Sequence, residues 1–234
     1  MGTSVQRDVL LKIARDRLYP SLTNPNFLVL RSRRRIFQRW IDLLGKENLR
    51  VLDIGGRYQP YRQLFGARVR QYVSCDILRT DLVDVVGDGE ALPFADSAFD
   101  TVVATQVFEY FQRPHKAAEQ IRAVLKPGGV LLMSVASVAP RFVDEECWRF
   151  TPRGISSALS GFSKVEIVAE TSSLGGLVRT INFAVCTFAH FPFLRKLMEL
   201  TICPFLNLFG LVVEGLRLTE NDQLTPNYSV LAIK

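Results

Sequence analysis

The chain is poor in the residues that build metal centres and catalytic dyads. Its 234 residues hold only two histidines, His115 and His190, and four cysteines, Cys75, Cys147, Cys186 and Cys203. No cysteines stand at CxxC spacing and only two histidines exist, which argues against a zinc site. Four lone cysteines in apolar surroundings read instead as buried thiols of a reducing compartment. The N-terminus lacks a signal-peptide pattern, because the apolar run Val9-Leu-Leu11 is too short and is interrupted by charge. The expectation is a cytoplasmic protein, with a peripheral position at the inner face of the membrane as its variant. Two nucleotide-binding signatures are missing as well, G-x-G-x-x-G and the Walker A loop.

Charge of one sign is scarce in one part of the chain only. Residues 1–50 hold 11 Lys and Arg against 4 Asp and Glu, whereas residues 51–234 are close to neutral. The excess is densest in Arg31-Ser-Arg33-Arg34-Arg35, with Arg39 and Arg50 beyond. Such a run suits a phosphate-bearing partner or an anionic membrane face, and equally a solvated helix face. A hydrophobic share of 48% and a charged share of 22% exclude intrinsic disorder, a collagen-like chain and a coiled coil.

The residues present divide the chain by period. Residues 5–19 and 26–44 recur with helical spacing, and Gly45 is a natural C-cap for the second helix. Short apolar runs then follow at 51–54, 71–76, 82–86, 99–104, 130–135, 165–169 and 228–233. A strong helix at 116–125, stopped by Pro127-Gly128-Gly129, separates the fourth from the fifth. Continuous apolar strands alternating with helices mean βαβ units and a mainly parallel sheet covered on both faces. Residues 1–47 form an N-terminal helical extension, 48–175 and 218–234 the core, and 176–217 a hydrophobic helical insertion. The insertion reads as two segments of fourteen mostly apolar residues, Ile181–Leu194 and Leu200–Val213, broken by Pro192 and Pro204. At about 21 Å each, neither spans a bilayer. A core-packed hairpin, a dimer face and an in-plane membrane anchor are the three readings.

In an open parallel sheet, ligands bind beyond the carboxyl ends of the strands. The first strand is followed by Gly55 and Gly56, with Asp53 in the same turn, and the second ends at Asp76. A glycine turn with an acid at the next strand end is the pattern that accepts ribose hydroxyls, used by NAD and by other adenosine ligands. Without G-x-G-x-x-G the NAD reading is the weaker. Turn capping is the bland alternative for both acids.

Three further pieces follow in order: Gly87-Asp-Gly-Glu-Ala-Leu-Pro-Phe94, Ser97-Ala-Phe-Asp100, and Leu125-Lys-Pro-Gly-Gly129. Together with the glycine turn they resemble the class I S-adenosylmethionine-dependent methyltransferases, type 11 branch, over about residues 48–170. The resemblance implies a Rossmann-like sheet of seven strands, the last antiparallel, with Asn227–Lys234 in that place. It implies S-adenosyl-L-methionine as cofactor. Asp53, Gly55 and Gly56 would hold its methionine part, Asp76 the ribose, and Asp88 with the Gly89 backbone the adenine edge. Thr105 and Gln106 would line the floor near the sulfonium. The family's two further loop glycines fall on Arg57 and Gln59, a departure that narrows the loop.

A base is not fixed by the sequence; Glu109, His115 and Asp144 are the candidates. Trp148 and Arg149, after the fifth strand, are candidate acceptor contacts through stacking and a bidentate clamp, or else Trp148 and Phe150 pack the loop down, with Thr151 capping the helix at Pro152. The expected activity is methyl transfer to a small-molecule, saccharide or lipid-linked acceptor. A non-catalytic interaction protein on the same scaffold is the alternative. A nucleic-acid methyltransferase stands behind both, because the fourth strand ends in Thr105-Gln-Val-Phe108 rather than an Asn/Asp-Pro-Pro-Tyr pocket.

Overall fold

The computed structural model describes residues 2–141, 143–188, 191–216 and 221–234. Helices α1 (Gly2–Leu18) and α2 (Phe27–Leu44) precede β1 (Leu49–Ile54). The short α3 (Arg62–Phe65), β2 (Val69–Asp76), β3 (Val85–Val86), β4 (Phe99–Thr105), α4 (Pro114–Val124) and β5 (Leu125–Ala136) follow. After them come α5 (Pro152–Ala158), β6 (Lys164–Ala169), α6 (Ser173–Phe188), α7 (Pro192–Gly215) and β7 (Asn227–Ile233). Gly45 ends α2 in the left-handed conformation, and Thr151 caps α5 by accepting from the Gly154 N–H.

The seven strands lie in the order β3-β2-β1-β4-β5-β7-β6, all parallel except β7, which runs against both β5 and β6. This is the Rossmann-like sheet the sequence predicts. Strand order reverses between β1 and β4, so a crevice opens there beyond their carboxyl ends. Side chains alternate across the sheet as the period of two requires. Leu52, Ile54, Val102, Ala104, Leu131 and Met133 meet α4 and α5 on one face. Val51, Val103, Val130, Leu132 and Leu231 meet α1, α2 and α3 on the other, where Phe37, Trp40 and Tyr61 are buried together. Each large side chain buried so completely contributes about 1.5–3 kcal/mol.

Four details depart from the sequence reading. Only Val85 and Val86 of the expected third strand pair, because this edge is bonded on one side and short edges resist further pairing. Cys147 is exposed, while Cys75, Cys186 and Cys203 are buried. Its loop packs through Trp148 and Phe150 and leaves the thiol outside. Arg33 is not on a solvated face but buried, with its Nε and Nη2 donating to the two carboxylate oxygens of Glu170 at 2.8 and 2.9 Å. Finally, the insertion is not two fourteen-residue segments. Pro192 opens α7 at its first turn, where a missing N–H costs nothing, and Pro204 lies inside a single 24-residue helix. That helix survives because Cys203, Asn207, Gly210 and Val213, on both sides of the proline, share one buried stripe. Residues 189, 190 and 217 of the expected insertion lie outside the described residues.

Candidate active site

The end of β1 is shaped by what cannot be there. Gly55 has φ +73°, a left-handed conformation, and a Cβ on it would press against Val107 at 3.1 Å. The N–H groups of Gly55 and Gly56 both turn back to the Cys75 carbonyl of β2, which fixes the loop against its neighbour strand. Gly89 is the second such point, where a Cβ would lie 2.6 Å from the Phe111 ring. Gln59, on a position where the family pattern has glycine, adopts φ +52°. Its side-chain amide donates to the Leu82 carbonyl and holds the residue in that sparsely populated region. Gln106, directly after β4, has φ +52° as well.

The carboxylates divide by environment. Asp53 lies buried under the loop, where its Oδ2 accepts from the Tyr72 hydroxyl at 2.7 Å. Burial pushes its pKa up to about 7, with the Tyr72 hydrogen bond opposing and the charge of Asp76 assisting. Asp76 sits at the end of β2, with Oδ1 accepting from the Leu78 N–H at 2.9 Å and Oδ2 from Arg57 Nε at 3.1 Å. Asp88 is exposed, and its Oδ1 accepts from the Glu90 N–H. Ile77 and Leu78, directly after Asp76, leave large apolar side chains exposed at the rim.

Beyond β4 and β5 the polar groups are linked. Gln106 Nε2 donates to Ser134 Oγ at 3.3 Å, and the Gln106 and Asn227 amides pair at 2.9 Å. Thr105 is half-buried beside them. Ser134 and Ser229 both donate to Glu170, whose partner Arg33 also reaches the Tyr61 hydroxyl. The charge of Glu170 and two hydrogen bonds hold the Arg33 pKa above its ordinary value despite burial. Glu109 is buried, with Oε1 accepting from the Ala136 N–H and Oε2 without a partner. Burial raises its pKa to about 7 against those hydrogen bonds. Its backbone carbonyl accepts from the N–H groups of Cys147 and Trp148, so the loop after β5 hangs on this residue.

That loop is clamped by the residues expected to meet an acceptor. Trp148 Nε1 donates to the Phe111 carbonyl at 2.7 Å. Arg149 donates to the carbonyls of Ala139, Trp148 and Pro140 and to the Glu146 carboxylate. Asp144 is exposed and pairs with Arg141 at 3.2 Å, and His115 is exposed in the first turn of α4. The structure thus gathers Asp53, Gly55, Gly56, Asp76, Asp88, Gly89, Thr105, Gln106 and Glu109 along the crevice, and leaves His115 and Asp144 at the surface. Sequence reasoning missed Tyr72, Arg57 as the Asp76 partner, and the Arg33–Glu170 network. Tyr72 alone had a signal, an aromatic facing the same side of the sheet as Asp53.

A seven-stranded sheet with one antiparallel strand, a glycine turn after β1 and an acid after β2 at the reversal of strand order define a class I methyltransferase fold. The family model described as "Methyltransferase domain", of the type 11 group, matches residues 52–133. That match spans the sheet from β1 to β5, about a third of the chain, and over those residues the chain is similar to the type 11 branch of the S-adenosylmethionine-dependent methyltransferases. It is 32% identical over 163 residues to a malonyl-[acyl-carrier protein] O-methyltransferase from Methylococcus capsulatus, covering 56% of this chain and 58% of that one. It is 39% identical over 112 residues to a demethylmenaquinone methyltransferase from Renibacterium salmoninarum, covering 42% of this chain and 47% of the other. The chain thus spans about half the length of these curated relatives. Among solved structures, the [4+2]-cyclase SpnF shares the fold, with a TM-score of 0.53, 17% identity, and coverage of 86% of this chain and 82% of its own.

The residues fit the cofactor of this family. Asp76 would present acceptors to ribose hydroxyls, Asp88 to an amine, and Ile77 with Leu78 an apolar edge to a flat ring. In this structure the Arg57 guanidinium occupies the Asp76 carboxylate. Its side chain is 35% exposed and can swing to solvent when hydroxyls replace it.

Proposed function

We propose that the protein is an S-adenosylmethionine-dependent methyltransferase acting on a small-molecule, saccharide or lipid-linked acceptor. The observation that carries this reading is the Gly55-Gly56 turn lying beside Asp76 at the adjacent carboxyl ends of β1 and β2, next to the β1–β4 reversal. The cofactor, when bound, supplies an electrophilic methyl group. Asp53, Gly55 and Gly56 hold the loop against its methionine part, Asp76 and Asp88 hold its nucleoside, and Thr105 and Gln106 bound the acceptor side. Transfer is an in-line displacement, so orientation supplies most of the acceleration. Glu109, with a pKa near 7 and one partnerless oxygen, is suited to take a proton from an oxygen or nitrogen acceptor. The names of the relatives, a malonyl carrier-protein methyltransferase and a demethylmenaquinone methyltransferase, support a small or lipid-like acceptor.

The second reading, a non-catalytic interaction protein, is favoured by the Arg57–Asp76 ion pair, which occupies the ribose acid. Equilibrium dialysis with labelled S-adenosylmethionine separates the two, using the wild type and Arg57→Ala. Retention of label by both, with transfer to an acceptor supplied in the chamber, is the expected result. Loss of label from both overturns the enzyme reading.

A further inference from the structure

Helix α7 is the one helix among the described residues long and apolar enough to cross a membrane, yet only 22% of its most apolar stretch is buried. Its inward stripe is partly polar and firmly tied. Asn207 Nδ2 donates to the carbonyls of Leu22 and Asn24 at 2.7 and 3.0 Å, and its Oδ1 accepts from Asn182 of α6. Gly210 lets Leu28 of α2 pack against the helix backbone. These ties hold α7 along the body of the protein. Its outward face is left bare: Phe193 is 80% exposed and Phe205 70%, and Leu200, Leu208 and Val212 each more than half. Phe191, 72% exposed, precedes the helix. Such an area exceeds the scattered apolar residues of an ordinary soluble surface.

The charge beside this face is predominantly basic: arginines outnumber the acids Asp16, Asp42 and Glu199 in its grooves, and Asp42 and Glu199 are already paired with Arg68 and Arg195. Arg31, Arg34 and Arg35 of α2 form no ion pair among the described residues, and Arg31 is held below its ordinary pKa by burial and by its two neighbours. Arg34, Arg35, Arg39 and Tyr19 line an open groove of about 750 Å³. Tyr19 also lines the next groove, whose far wall is Arg195 and Glu199 at the start of α7. One continuous flank therefore runs from the α2 arginines to the bare helix. The two acids of α7 cannot neutralise it, since Glu199 takes Arg195 and Glu214 takes Ser172. A symmetric dimer through this face would bring the same cations together with no spare α7 carboxylate to meet them.

The hairpin also has a telling position. It leaves β6 at Ala169 and returns to β7 at Asn227, both at the sheet end that holds the crevice. We infer that the outward face of α7, flanked by Arg31, Arg34 and Arg35, docks on an anionic lipid surface, lying in its plane and turning the crevice end toward the bilayer. Exposed aromatics sink to the boundary between headgroup and acyl chain, and the arginines engage lipid phosphates.

The test is flotation of the full chain with vesicles of phosphatidylcholine alone and of phosphatidylcholine with phosphatidylglycerol. The protein is expected to float with the anionic vesicles and to stay behind with the neutral ones. The double variant Phe193→Glu/Phe205→Glu is expected to lower the partition by about tenfold or more. Arg31→Ala/Arg35→Ala is expected to lower it severalfold, with a smaller residual dependence on salt. Retained binding of S-adenosylmethionine by both variants shows that they are folded and keeps this test separate from the enzyme reading. Absence of flotation with either vesicle, or equal flotation with both, overturns the inference. So does a dimer in sedimentation equilibrium that Phe193→Glu/Phe205→Glu dissolves while no vesicle binds.

Discussion

The crevice and the α6–α7 hairpin lie at the same end of the sheet and solve opposite problems. At the crevice, polar groups are buried and almost all are answered: Arg33 by Glu170, Asp53 by Tyr72, Asp76 by Arg57 and the Leu78 N–H. On the hairpin, apolar groups are exposed and unanswered, and its few buried polar atoms serve only to tie it down. Buried polar order costs desolvation and is kept where geometry matters. Exposed apolar surface is kept where a partner covers it. The two regions are therefore expected to respond to substitution in different ways, one through stability and ligand affinity, the other through partition alone.

The largest effect is expected at Arg33. Arg33→Met strands the Glu170 carboxylate among Ser134, Ser229 and β-sheet backbone, and is expected to cost about 3–5 kcal/mol in urea unfolding. A cost under about 1 kcal/mol would mean that this network is better hydrated than its burial implies. Next is Asp76→Ala, which removes the acceptors for ribose and is expected to weaken cofactor binding by about 1–3 kcal/mol with little change in fold. An unchanged affinity would move the nucleoside elsewhere.

The pH dependence is a finer probe of the crevice. Asp53 and Glu109 each titrate near 7 in the folded protein, above their ordinary 3.8 and 4.5. Between those ordinary values and about 7 the folded state holds protons that the unfolded state has released. Their contribution to stability is therefore fully present at low pH and is lost as pH rises through that window. Asp53→Asn and Glu109→Gln are each expected to flatten this fall in a comparison of unfolding free energies at pH 5 and pH 8. Curves parallel to the wild type would place these carboxyls in contact with water. The smallest effect is expected on the hairpin: Phe193→Ser should change unfolding free energy by less than about 0.5 kcal/mol, because the ring is already in solvent. A large loss there would erase the contrast between the two regions.

Much of the fold was legible because period and punctuation agree along the core. The alternation of Val51 and Leu52, or Val130 and Leu131, marks strands buried on both faces, and Gly45 and Thr151 mark helix ends as their chemistry requires. Gly55, Gly56 and Asp76 were legible because a strand end, a glycine turn and an acid repeat a pattern with a physical reason. What escaped was long-range. Arg33 lies in a run of arginines, and nothing local distinguishes it from Arg34 or Arg35; its burial is decided by Glu170, 137 residues away. Pro204 argues for a helix break in isolation, and only the shared packing of Cys203 and Asn207 overrides it. Trp148 and Arg149 carry groups suited to a ligand, but a neighbouring backbone uses them first.

On the proposed function, Asp76 is a cofactor-binding acid that Arg57 occupies in the free protein. Calorimetric titration of S-adenosylmethionine into the wild type, Asp76→Ala and Arg57→Ala tests it most directly. The expected result is binding by the wild type, a loss of roughly tenfold or more for Asp76→Ala, and a gain of a few fold for Arg57→Ala as the competing ion pair is removed. Absence of heat in the wild type and in Arg57→Ala alike would contradict it.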